Sequence, residues 1–130
     1  MSDLALLIGR LLFGALFLYN GLAHFRNRAA STGYAQYKNV PAAGAAVVVS
    51  GLWLIVSALS FILGIRPHVG ATMIVVFLLV VSPVMHNYWA VSDDATRMND
   101  FINFTKNIAL AGGALMALAI PEPWAYSLAP

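Results

Sequence analysis

Four stretches of this chain, residues 4–25, 41–64, 69–87 and 101–120, are apolar over about the length a helix needs to cross a bilayer. At about 1.5 Å per residue, roughly 20 residues cover the roughly 30 Å of hydrocarbon. Inside that solvent every backbone polar group must be satisfied by the protein, which leaves helices and closed barrels. None of the stretches alternates polar and apolar residues as a barrel strand does. The sequence therefore predicts an all-α, transmembrane four-helix bundle, with residues 1–130 forming a single integral-membrane domain. Composition agrees: 61% of the 130 residues are apolar and 9% are charged, against roughly 45–50% and 25% in a soluble domain.

Several function classes fall away on composition. The net charge of +2 forms no basic patch or stripe, so no nucleic-acid partner is expected. The absence of cysteine removes thiolate nucleophiles, disulfides and iron–sulfur ligation, and no metal site is expected. Met1–Asp3 carries no basic residue and no small-residue cleavage site follows, so the first apolar stretch reads as a span rather than a signal peptide.

Prolines and loops punctuate the spans. Pro41 and Pro67 suit the first turn of the second and third helices, and Pro121 stops the fourth. The connection "IRP" at Ile65–Pro67 makes spans two and three an antiparallel hairpin. In the third loop, Ser92 followed by Asp93 and Asp94 reads as a helix start, with acids at the positive end of the dipole. It predicts a short surface helix before the last span. Five basic residues (Arg26, Arg28, Lys38, Arg97, Lys106) flank loops one and three against two (Arg10, Arg66) on the other side. That bias predicts loops one and three in the cytoplasm and both termini outside. On span four, Thr105, Ala109, Gly113 and Ala117 recur every four residues, a small-residue stripe of the kind along which helices pack.

The polar residues inside the spans are more informative. Arg10, Phe17 and His24 repeat by heptads and share a face with Gly14 and Gly21. Arg10 lies two turns inside the first span, so its guanidinium must find acceptors within the bundle. His86 and Asn87 close the third span, and Lys106 with Asn107 interrupts the fourth. Sorted by end, His24, His86, Asn87, Lys106 and Asn107 all fall on the side of loops one and three. They define a candidate polar pocket at one end of the bundle. The competing reading is that Lys106 snorkels to the headgroups, with Tyr34, Tyr37, Tyr88 and Trp89 forming an ordinary aromatic belt.

The chain resembles the DoxX family of small bacterial four-helix membrane proteins, including its DoxD-like members. The resemblance rests on Arg10–Gly14 with Gly21, on "GLWLIVSALSFILGIRPHVGA" (51–71), and most specifically on "HNYWAVSDDATRMNDFINFTKNIALAGG" (86–113). Members often carry a Glu where this chain has Ser50. The resemblance implies a bacterial inner membrane location and a place in membrane redox chemistry. Relatives include a subunit of a thiosulfate:quinone oxidoreductase.

Two function classes follow. In one, the chain is a membrane subunit of a quinone-linked redox system, with His24, His86, Lys106 and Asn107 as donors to a quinone head or an anion and an apolar groove for the tail. In the other, it is a non-catalytic accessory subunit that docks on a larger membrane complex or on its own copies. A haem between His24 and His86 is a third reading, which two histidines alone support weakly.

Overall fold

The computed structural model describes residues 2–128. These residues form α1 (Ser2–Arg26), α2 (Arg28–Tyr37), α3 (Ala43–Leu63), α4 (Pro67–Met85) and α5 (Asp94–Ala117), with a short 3-10 turn at Tyr88–Ala90. No strand occurs among the described residues. Three segments, Ser2–Arg26, Ala43–Leu63 and Pro67–Ala90, are long and apolar enough to cross a membrane.

Several boundaries differ from the sequence reading, each for a local reason. Pro41 does not open α3. It sits in a turn flanked by left-handed residues, Asn39 (φ 62°) and Ala42 (φ 48°), which reverse the chain between α2 and α3. Pro67 does stand at the start of α4. No separate surface helix precedes the last apolar run: α5 is continuous from Asp94 to Ala117, since no proline or glycine interrupts it before Gly112. Its cap is Asp93 rather than Ser92, and the Asp93 carboxylate accepts from the Thr96 amide at 2.9 Å. The surface helix lies instead in loop one, as α2. Its sequence "RAASTGYAQY" interrupts good helix formers with Ser31, Thr32 and Gly33, and Asn27 gives it no side-chain cap bond, so its local signal is weak.

Packing follows chain order. α1 lies along α3, α3 along α4 and α4 along α5. Phe17, Leu54, Ile74 and Leu78 are fully buried and join Ala58, Ala71, Ala111 and Ala114 in one core. The approach of α1 to α3 is close: a Cβ on Gly21 would lie 3.0 Å from the Ile55 backbone nitrogen and 3.1 Å from the Gly51 carbonyl oxygen. A second, smaller core of Ala35, Ala43 and Val47 seats α2 on α3. The small-residue stripe of the last helix is only partly used. Ala117 is buried, but Thr105 and Ala109 are exposed. The buried face runs through Asp100, Ala111, Ala114 and Ala117, because α5 turns the side bearing Asp100 toward α4.

At the end carrying the termini, the residues after α5 fold back over the bundle. The buried Arg10 donates from Nε to the Ile62 carbonyl at 3.1 Å, from Nη1 to Ala125 at 2.5 Å and from Nη2 to Tyr126 at 2.7 Å. Trp124 is buried edge-on to Phe61 at 5.2 Å. The Leu128 amide donates to the Leu63 carbonyl at 2.9 Å. Gly64 makes room for this tail: its φ is 73°, and a Cβ there would stand 2.6 Å from Ser127 Cβ.

Candidate functional site

The opposite end is polar, and its centre is a carboxylate. Asp100, in the second turn of α5, is 1% exposed. It accepts from Lys38 Nζ at 2.8 Å, bonds His86 Nδ1 at 3.2 Å and receives the Tyr34 hydroxyl at 3.5 Å. Lys38 also donates to Asn87 Oδ1 at 2.9 Å. One acid therefore ties α2 and the residue after it to the end of α4 and the start of α5. Burial alone would raise the Asp100 carboxyl, but the hydrogen bonds of Lys38 and His86, together with the charge of Lys38, outweigh it and hold the group below its ordinary range. The Tyr34 hydroxyl moves the other way, pushed up by burial and then by the negative charge of Asp100.

A ring of aromatics braces this corner. Tyr88 stacks edge-on against Phe101 at 5.0 Å and Phe104 at 5.5 Å, and Trp89 meets Phe104 at 5.7 Å. The 3-10 turn is thereby fixed to α5, which sets the distance between His86 and Asp100.

Beside the network lie two adjoining spaces. A cavity of about 270 Å³ is lined by His24, His86, Lys106 and Asn107 together with Asn20 and apolar residues of α1, α3, α4 and α5. A groove of about 870 Å³ runs between α2, α3 and α4, walled by Val47, Val80, Val81, Val84 and other apolar side chains. His24, Asn27, Ser31, Phe77, Val81 and His86 line both. Polar chamber and apolar groove thus meet at the two histidines.

Four of the five site residues expected from sequence share one cavity wall; Asn87 is absent from the residues lining it and serves the ionic network instead. Lys106 lines the cavity while its Nζ reaches only Asn103 Oδ1, at 3.3 Å on its own helix. Asp100, Lys38 and Tyr34 were missed by sequence reasoning. A signal for Asp100 existed: it stands one heptad before Asn107 and two before Ala114, on the inward face of α5. Lys38 carried none, because its place depends on the unforeseen α2.

The fold and this polar end define a helical integral membrane protein with a ligand-sized space at one end. The sequence model of the DoxX family matches residues 5–87, and the chain belongs to that family. It is 28% identical over 123 residues to the inner membrane protein YphA of Escherichia coli K12, covering 95% of this chain and 86% of YphA. Together with the membrane-length helices, this likeness supports a bacterial inner membrane protein. No solved structure matches significantly.

Proposed function

We propose that this chain is a membrane subunit of a quinone-linked redox system. It would hold the quinone head in the cavity beside His24, His86, Lys106 and Asn107 and the tail in the adjoining groove. The observation that carries this reading is the shared wall: one pair of histidines borders both a polar chamber and an apolar groove of about 870 Å³. A head-and-tail lipid cofactor needs that combination, and ligand pockets typically measure about 300–1,000 Å³. With no cysteine in the chain, electrons would be exchanged with a partner subunit carrying its own redox centre.

In the same reading α5 is the fourth span. Residues 101–117 of α5 rise about 26 Å at 1.5 Å per residue, and Lys106 borders the cavity there. Loops one and three then face the cytoplasm and both termini lie outside. The cysteine-free background makes this simple to test. Ser92→Cys and Ser127→Cys should label from opposite sides of the membrane; labelling from the same side overturns the fourth span.

The function is tested by calorimetric titration of the chain in lipid nanodiscs with a short-tailed benzoquinone, supplied oxidised and reduced. Binding of at least one form is expected, weakened about ten- to a hundredfold in Lys106→Met, which removes one charge-assisted hydrogen bond and keeps the stem. No binding of either form overturns the proposal and leaves the accessory-subunit reading standing.

A further inference from the structure

The two histidines at the junction share a feature that decides what kind of oxygen they can receive. His24 Nδ1 lies 2.7 Å from the Asn20 carbonyl oxygen. A carbonyl only accepts, so in this contact Nδ1 carries the hydrogen. His86 Nδ1 lies 3.2 Å from Asp100 Oδ1, and an ionised carboxylate likewise only accepts. A neutral imidazole whose Nδ1 is protonated has a lone pair at Nε2. Neither Nε2 makes a hydrogen bond among the described residues, whereas every fully enclosed side-chain nitrogen or oxygen does. Both Nε2 atoms therefore reach open space, and both residues border the cavity and the groove.

With both rings neutral, the two histidines that border the cavity thus carry unbonded acceptors where a quinone, with two carbonyl oxygens, requires donors. We propose that this site selects the reduced, hydroxyl-bearing ligand: a hydroquinone, whose O–H groups donate to Nε2 of His24 and His86. The proposal rests on the quinone-site reading above and adds the redox form that the site prefers.

Asp100 is the positioning residue. It fixes the tautomer and orientation of His86, and Lys38, at 2.8 Å, keeps it ionised. The same arrangement lets His86 take a proton. If a bound hydroxyl dissociates, its O–H bond breaks, the electron pair remains on the ligand oxygen, and the proton moves to His86 Nε2. The imidazolium so formed lies against the Asp100 carboxylate. Lys106, on the same cavity wall, supplies a positive charge for the oxyanion. An oxidised quinone would instead set its carbonyl lone pairs against two nitrogen lone pairs.

The test uses the full chain in nanodiscs, with histidines labelled with nitrogen-15, titrated with a short-tailed benzoquinol under reducing, anaerobic conditions and with the matching quinone. The quinol is expected to bind about ten- to a hundredfold more tightly, and nitrogen NMR should show unprotonated Nε2 signals that shift on its addition. Equal affinities, a tighter quinone or protonated Nε2 signals in the free protein overturn the inference while leaving a quinone site standing. Failure of both forms to bind removes the site itself. Asp100→Asn, whose amide can donate to Nδ1 and reverse the tautomer, should erase the preference. His24→Phe lies outside the ionic network and should also shrink it, so the role of the acceptors is read even if Asp100→Asn does not fold.

Discussion

Lys38 and Asp100 stand 62 residues apart in the chain, yet their charges meet at 2.8 Å with side chains 5% and 1% exposed. Such a pair stabilises little relative to an apolar pair of the same shape, because both ions lose their water. Breaking it is another matter, since one charge is then left buried without its partner. Lys38→Met should destabilise the folded chain by about 3–5 kcal/mol. Asp100→Leu in the same background should recover most of that loss. Thermal unfolding of the three proteins in one detergent checks this, and additive losses would show that the pair is not coupled.

Acidification should open the same corner. The folded Asp100 carboxyl titrates below its ordinary value of 3.8, so the unfolded chain binds the proton first. The group's contribution is therefore present above pH 3.8 and is lost as pH falls through the lower, folded value. Melting temperatures measured downward from pH 6 should fall in that window for the natural chain. The Lys38→Met/Asp100→Leu double variant should fall less.

Arg10 holds the other end by three backbone carbonyls on two segments, α3 and the C-terminal tail. A lysine offers a single ammonium and cannot reproduce that planar fork. Arg10→Lys and Arg10→Ala should both lower folded yield, and both should expose Trp124, read by its fluorescence in a variant lacking Trp53 and Trp89. Arg28→Ala, on the exposed surface of α2, should leave yield unchanged.

Two glycines in helices should respond in opposite directions. Gly21→Ala places a methyl against the backbone of α3, 3.0 Å from Ile55 N, and should push α1 and α3 apart, with a loss of about 1–3 kcal/mol. A Cβ on Gly33 in α2 meets nothing within 4 Å. Gly33→Ala should therefore stabilise by about 0.4–1 kcal/mol through the unfolded chain. Thermal melts of the two variants decide it.

The apolar helices were legible because lipid leaves the backbone few options, and length with composition is then enough to place α1, α3 and α4. The grouping of His24, His86, Lys106 and Asn107 was legible because helical phase and span end suffice to place them. The hub was not. Asp100 reads in sequence as the last acid of a polar loop, and its burial follows from α5 running unbroken through that loop. Lys38 reaches Asp100 because Asn39 and Ala42 turn the chain so that α2 lies back on α3, and no residue pattern nearby announces that turn. The acceptor character of the histidines was equally hidden. It depends on which atoms face their Nδ1 nitrogens, and sequence alone suggested donors.

The central claim is that the space bordered by His24 and His86 receives a quinone. It is tested most directly by photolabelling the chain in nanodiscs with an azido-quinone and mapping the adduct by mass spectrometry. Labelling is expected within residues 24–31 or 77–86, the segments shared by cavity and groove walls, suppressed by excess unlabelled quinol. Adducts confined to the outward face around Thr105 and Ala109, or spread evenly over lipid-facing side chains without competition, would contradict it.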